Sequence, residues 1–234
     1  LRADRKPTTS LTAYDLCLQA TPAAIRVHDA AAFFRARDLL HQALNLDPHY
    51  VEAKGLMCGL HIGALTVRAI DFDEARSCLP LAEEILSDSR IVDPQAICDA
   101  GVALAYFGGQ QQRGVSVLRR ALALNPNSAL ILMSSGWVHS YVGETVTAEE
   151  HFLRAIRLNP IDANVGVARS GLARLMHLRG DYDAAIPMLE RALAEQPGYF
   201  STLLGLVVTC WKTGRIAESL RHAAILRVSA PGLS

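Results

Sequence analysis

Apolar side chains recur along the chain at intervals of three and four residues, as in Val115, Leu118 and Leu122, or Leu203, Leu206 and Cys210. That is the spacing of one face of an α-helix. No useful stretch alternates apolar with polar residues, so the chain is predicted to be all-α with strand content near zero. A longer frame lies over this pattern: a small residue, a large apolar residue four later, alanine three later and proline five later. It reads Ala36, Leu40, Ala43, Pro48; Gly114, Leu118, Ala121, Pro126; Ala148, Phe152, Ala155, Pro160; and Ala185, Leu189, Ala192, Pro197. Ala75, Leu79 and Ala82 repeat it without the proline, and Ser219, Ala223, Leu226 and Pro231 repeat it with altered core positions. The first positions step by 34 to 39 residues, and Gly109, Gly143, Gly180 and Gly214 each stand five residues before one of the last four.

Each mark has a mechanical reason. Small residues on one face of a helix let its neighbour approach closely, glycine ends a helix in the left-handed region, and proline cannot continue one. The frame therefore predicts about six helix pairs, with units near 11–48, 49–93, 94–127, 128–161, 162–198 and 199–231. Asp181, next to Gly180, is placed to cap the following helix through its carboxylate. Pro80 and Pro187 fall inside predicted second helices and should bend them, which leaves the register of the second unit the weakest in the chain.

With Leu132, Gly136, Gly143, Ala148, Phe152, Ala155 and Pro160, residues 129–162 resemble a tetratricopeptide repeat, and the frame extends that resemblance over about 200 residues. The resemblance implies a solenoid of antiparallel helix pairs forming a right-handed superhelix. Residues 1–10, polar and containing Pro7, read as a linker from an upstream domain, followed by one helical repeat domain over 11–234. The entry, Lys6-Pro7-Thr8-Thr9-Ser10-Leu11 with Ala13-Tyr14-Asp15-Leu16 and, further on, Leu39 to Leu44 with Asp47-Pro48, resembles tetratricopeptide regions of bacteria. Those regions follow class III adenylate cyclase or winged-helix regulator domains. That likeness implies a regulatory module of a larger signalling protein.

Composition narrows the function classes. Lysine and arginine number 23 and so do aspartate and glutamate, so no summed charge draws the chain to nucleic acid or to anionic lipid. No apolar run reaches the ~18 residues of a membrane span. Five cysteines without a Cys-x-x-Cys pair fit neither a disulfide framework nor a zinc site and point to a reducing cytoplasm. The sequence contains no H-E-x-x-H, G-x-S-x-G, Walker or G-x-G-x-x-G motif, and the doublets Glu83-Glu84 and Glu149-Glu150 point about 100° apart on a helix. No catalytic residue, metal ligand or cofactor is assigned.

In the resembled family, the first helix of each pair lines a concave groove. Transferring those positions gives Asp99, Ala103, Tyr106 and Phe107; Met133, Trp137, Ser140 and Tyr141; Ser170, Arg174, His177 and Leu178; and Leu204, Val208, Trp211 and Lys212. Asp99, Ala103, Met133 and Ser170 replace the lysines, asparagines and arginine with which chaperone-binding members clamp a terminal carboxylate, so that role is not implied. Trp137 and Tyr141, four apart, share a helix face and would anchor a partner, although such a pair also fills space between helices. Arg174, His177 and Lys212 make one end of the groove positive and suited to an acidic peptide. The predicted function is a protein- or peptide-binding scaffold. The alternative is an oligomerisation or gating module of an enzyme, a cyclase or a glycosyltransferase, whose catalytic domain lies outside this chain. The last helix, apolar on more than one face, expects either further chain or a second copy in a homodimer.

Overall fold

A computed structural model describes residues 8, 10–25, 30–161 and 164–229. Among them there is no strand, and the helices form two compact units, described separately. The first holds α1 (Leu11–Ile25), α2 (Ala30–Leu46), α3 (Val51–Thr66), α4 (Phe72–Arg76), α5 (Leu79–Ser87), α6 (Pro94–Tyr106) and α7 (Gln111–Leu124). The second holds α8 (Ala129–Tyr141), α9 (Thr145–Leu158), α10 (Val165–Arg179), α11 (Tyr182–Glu195), α12 (Phe200–Lys212) and α13 (Ile216–Ser229), with residues 66–68 clustering beside them. Consecutive helices pack as pairs: α1 with α2, α6 with α7, α8 with α9, α10 with α11, and α12 with α13. No helix of the described residues is long and apolar enough to cross a membrane.

The small, large and alanine positions of the frame lie in the core, except Leu79 and Ala223, which are half-buried. Ala36, Ala75, Ala148, Ala185 and Ser219 are at most 2% exposed, and Leu40, Leu118, Phe152 and Leu189 are equally enclosed. Gly114 shows why the first position must be small: a Cβ there would lie 2.7 Å from the Cβ of Ala105 on α6. Gly109, Gly143, Gly180 and Gly214 adopt φ of 67°, 83°, 86° and 75°, the left-handed region that an L side chain resists. Pro48, Pro126, Pro160 and Pro197 each stand two residues past the end of a helix. Pro231 and residues 1–7 and 9 of the linker lie outside the described residues.

Two details, at Pro80 and Asp181, differ from the sequence reading. Pro80 does more than bend its helix. The helix divides into α4 and α5 across Ser77 and Cys78, and Pro80 falls in the first turn of α5, where its missing N–H costs no helical bond. Cys78, 1% exposed, thereby takes the enclosed place that the frame gave to Leu79, which is half-buried. Pro187 leaves α11 a single helix, since it stands in the second turn and forfeits one bond near the start. Asp181 occupies the start of α11 but makes no capping bond through its side chain. Side-chain caps come instead from Asp71 to the N–H of Glu74 (2.9 Å), Asp93 to that of Ala96 (2.6 Å) and Ser128 to that of Ile131 (3.3 Å).

Candidate functional site

Within the second unit the first helices of the three pairs, α8, α10 and α12, pack side by side. Two glycines let α8 and α10 close on the ring of Phe152 from α9: a Cβ would lie 2.7 Å from that ring at Gly136 and 2.3 Å at Gly171. Gly205 of α12 receives Leu189 of α11 in the same way, at 2.9 Å. Large side chains of the second helices thus wedge between the first helices. The face carrying Trp137, Tyr141, Arg174, His177, Phe200, Leu204 and Val208 surrounds a cleft of about 350 Å³.

No acidic side chain lines this cleft. The guanidinium of Arg174 lies 5.2 Å from the centre of the Tyr141 ring, a cation–π contact, and Arg174 makes no ion pair or hydrogen bond among the described residues. Its buried Nε lacks an acceptor, as does the Nε1 of Trp137. Trp137 is only 4% exposed, held edge-on by Phe152 at 5.8 Å and Tyr199 at 6.3 Å. The Nδ1 of His177 lies 2.9 Å from the Thr209 hydroxyl, and its ring meets Tyr182 at 5.0 Å. Burial pushes the His177 imidazole below its ordinary pKa, and the charges of Lys212 and Arg174 push it the same way. Burial pushes the Tyr141 phenol up, partly opposed by Arg174.

Of the ten residues singled out from the sequence, Trp137, Tyr141, Arg174 and His177 meet at this cleft. Trp211, 60% exposed, and Lys212 continue along the end of α12 outside its walls. Met133 lines a separate crevice of about 20 Å³ with Ala155 and Ala168. The other three belong to the first unit. Asp99 is half-buried, accepts a bond from Gln95 Nε2 at 2.9 Å, and has its carboxyl pushed up to about 8, chiefly by burial. Tyr106 is half-buried and meets Phe107 edge-on at 6.4 Å. Phe107 does not face a groove: it is 3% exposed and packs against Phe72 at 6.1 Å, because it terminates α6 and turns into the core. Phe200, at the first position of α12, was not among the sequence candidates. Its place one turn before Leu204 and two before Val208 is the signal that could have found it.

One side-chain cluster has the outline of a nucleophile relay. Ser135 Oγ lies 3.1 Å from His139 Nδ1, and His139 Nε2 lies 3.6 Å from Glu144 Oε2. The same Nδ1 is 2.7 Å from the carbonyl oxygen of Ser135, which can only accept, so Nδ1 carries the proton and cannot take one from the serine. Ser135 is fully enclosed and His139 is 1% exposed, so the cluster satisfies core polar groups.

Residues 176–227 match the sequence profile of the tetratricopeptide repeat family. Among solved structures, the chain resembles a thermophilic tetratricopeptide repeat protein of Thermus thermophilus, at 21% identity over 82% of this chain and 99% of that one, with a TM-score of 0.58. It also resembles PilW, a widely conserved type IV pilus biogenesis factor, at 17% identity over 94% of each chain and a TM-score of 0.62. A third neighbour is the Cut9–Hcn1 hetero-tetramer of the APC/C, at 16% identity over 94% of this chain and 44% of that one, with a TM-score of 0.63. No curated protein matches the chain in sequence. The protein is therefore an all-α helical repeat protein. Its fold is of tetratricopeptide type, and its 176–227 segment carries the family's own sequence signature.

Proposed function

We propose that the chain is a protein- or peptide-binding scaffold that captures a partner segment in the cleft across α8, α10 and α12. One observation carries this reading: a single cleft of about 350 Å³ combines the aromatic walls of Trp137, Tyr141 and Phe200 with an arginine that has no ion pair or hydrogen bond among the described residues. Aromatic side chains and arginine supply most of the binding energy at protein interfaces when a partner covers them. Trp211 and Lys212 extend the surface beyond the cleft. The setting we propose is the regulatory or interaction module of a larger bacterial signalling protein in the cytoplasm, without chemistry of its own. All five cysteines are buried and outside any disulfide, which supports a reducing compartment, and the balanced charge favours neither nucleic acid nor lipid as partner.

The test is a nitrogen-15-labelled chain titrated with 12-residue peptides selected from a random display library. The indole resonance of Trp137 and the amides of α8, α10 and α12 should shift. Leu204→Asp with Val208→Asp, at positions 41% and 39% exposed, should lose the peptide while keeping the helical circular dichroism. Shifts confined to other helices, or a variant that binds as the wild type does, would overturn the reading.

A second reading has its own observation. On α13, Leu220, Ile225 and Val228 are 60%, 48% and 84% exposed, an apolar surface fit for a second copy of the chain or for an enzyme domain that the module gates. Sedimentation should then show mass rising with concentration, and Leu220→Lys with Val228→Lys should hold the chain monomeric. A constant monomeric mass in the wild type removes the homodimer.

A further inference from the structure

We infer that the segment this cleft accepts carries an internal Asp or Glu side chain flanked by large apolar residues. Arg174 holds the carboxylate, and the apolar neighbours cover Phe200, Leu204 and Val208. The inference rests on the peptide-binding reading above and adds the chemistry of the ligand.

Three observations lead there. First, Arg174 is a cation without an anion among the described residues. Arg113, Arg169 and Arg179 meet Glu83, Glu195 and Glu149 at 2.7–2.8 Å, whereas Arg174 has the face of Tyr141, as Arg68 has that of Phe200 at 4.6 Å, so two guanidinium groups stand on the aromatic walls of the cleft. Its positive charge is not neutralised by any carboxylate among the described residues, so a carboxylate entering the cleft would meet an unshared guanidinium. Second, the two lining side-chain nitrogens left without a partner, Arg174 Nε and Trp137 Nε1, are both donors, beside hydroxyls of Ser170, Ser201 and Thr209 that can donate or accept. Trp137 is 96% enclosed with its indole N–H unmatched, and no lining residue supplies a negative charge, so the cleft selects an acceptor-rich ligand and repels a basic one. Third, the apolar path does not stop at the arginine. Phe200, Leu204, Val208 and Trp211 recur at intervals of four, four and three along one face of α12, and Trp211, 60% exposed, lies beyond the cleft. A segment lying along this face would cover both the cleft and Trp211, and Met133 and Ser170 supply none of the lysine or asparagine donors that clamp a terminal carboxylate, so the carboxylate is assigned to a side chain within the segment.

The experiment selects random 12-residue peptides on the wild-type chain and, in parallel, on Arg174→Glu. Wild-type binders should be enriched in Asp or Glu within three residues of Trp, Phe, Leu or Ile, and Arg174→Glu should reverse the enrichment towards Lys or Arg. For the strongest wild-type binder, Glu→Gln (or Asp→Asn) in the peptide should weaken binding at least tenfold on the wild type and less than twofold on Arg174→Gln, the coupling expected of a charged hydrogen-bonded pair. Amidating the peptide's terminus should change binding less than twofold. Binders that map to the cleft yet lack acidic residues, or that tolerate the neutral substitution, overturn the inference and leave the peptide-binding reading standing. Loss on amidation replaces the internal side chain with a terminal carboxylate and overturns it too. If no binder depends on Leu204 and Val208, the broader reading fails with it.

Discussion

The two units obey one frame and each puts glycine to two uses, since Gly101 of α6 receives the side chain of Val117 on α7 and Gly166 of α10 meets the backbone oxygen of Ala192 on α11. In the first, Gly55 of α3 brings backbone against backbone: a Cβ there would lie 2.6 Å from the Cα of Ala96 on α6. Further along the same contact, Gly59 leaves room for the Asp99 carboxylate, 3.3 Å from where its Cβ would be. In the second, Gly136, Gly171 and Gly205 make room for the side chains of Phe152 and Leu189, which come from second helices. Glycine on a first helix therefore does not by itself make a groove or close one. What decides is whether a neighbouring backbone or a large side chain fills the space it leaves.

The sharpest way to break this comparison is to remove a wedge. Phe152→Ala should cost about 3–5 kcal/mol, because a fully enclosed ring leaves a cavity that α8 and α10 cannot collapse without moving. Chemical denaturation with exchange protection read in α8 and α10 measures it, and protection in α6 should be unchanged. The counterpart in the first unit is Gly55→Ala, which should cost about 1–3 kcal/mol through overpacking, read as lost protection in α3 and α6. Slightly smaller differences should separate two alanines of the frame. Ala148→Leu meets a fully enclosed site and should destabilise by about 1–3 kcal/mol, whereas Ala155→Leu, beside the crevice lined by Met133, should fall at the lower end of that range. An Ala155 variant as costly as the Ala148 variant would show that the crevice does not yield.

The smallest effect is a difference in pH response. The Asp99 carboxyl, about 8 in the fold against an ordinary 3.8, contributes stability that is whole below pH 3.8 and lost as pH rises through 8. His151 and His177 lie below the ordinary 6.5, so their contribution is whole above pH 6.5 and lost on acidification. His61 of the first unit is lowered likewise. Between pH 6.5 and 8, then, protection in α6 should fall while that in α10 holds, and Asp99→Asn should abolish the fall. Equal slopes in both helices would remove the assignment to Asp99.

Much of the fold was legible because its constraint is local. A small residue, a large one and an alanine on the same helix face record close packing wherever the partner helix lies, and Ala75 with Ala82 kept the record even where Pro80 broke the helix. The site was legible in part. Trp137, Tyr141, Arg174 and His177 derive from position on a first helix, but the enclosure of Trp137 depends on Phe152 and Tyr199 from elsewhere in the unit, which no local spacing encodes. Phe107 misled for the same reason: the side chain at a helix end turns towards whichever neighbour can enclose it, and here Phe72 receives it. That Arg174 meets no carboxylate among the described residues is a property of all its surroundings at once, and becomes visible only in three dimensions.

Both tryptophans of the chain, Trp137 and Trp211, belong to the second unit, the first almost fully enclosed beside Tyr141 and the second largely in solvent. The protein thus contains two native chromophores of opposite character at a single surface. Emission excited at the indole band should resolve into a blue component that soluble iodide does not quench and a red one that it does. The blue component reports directly on the wall of the cleft, with no label attached.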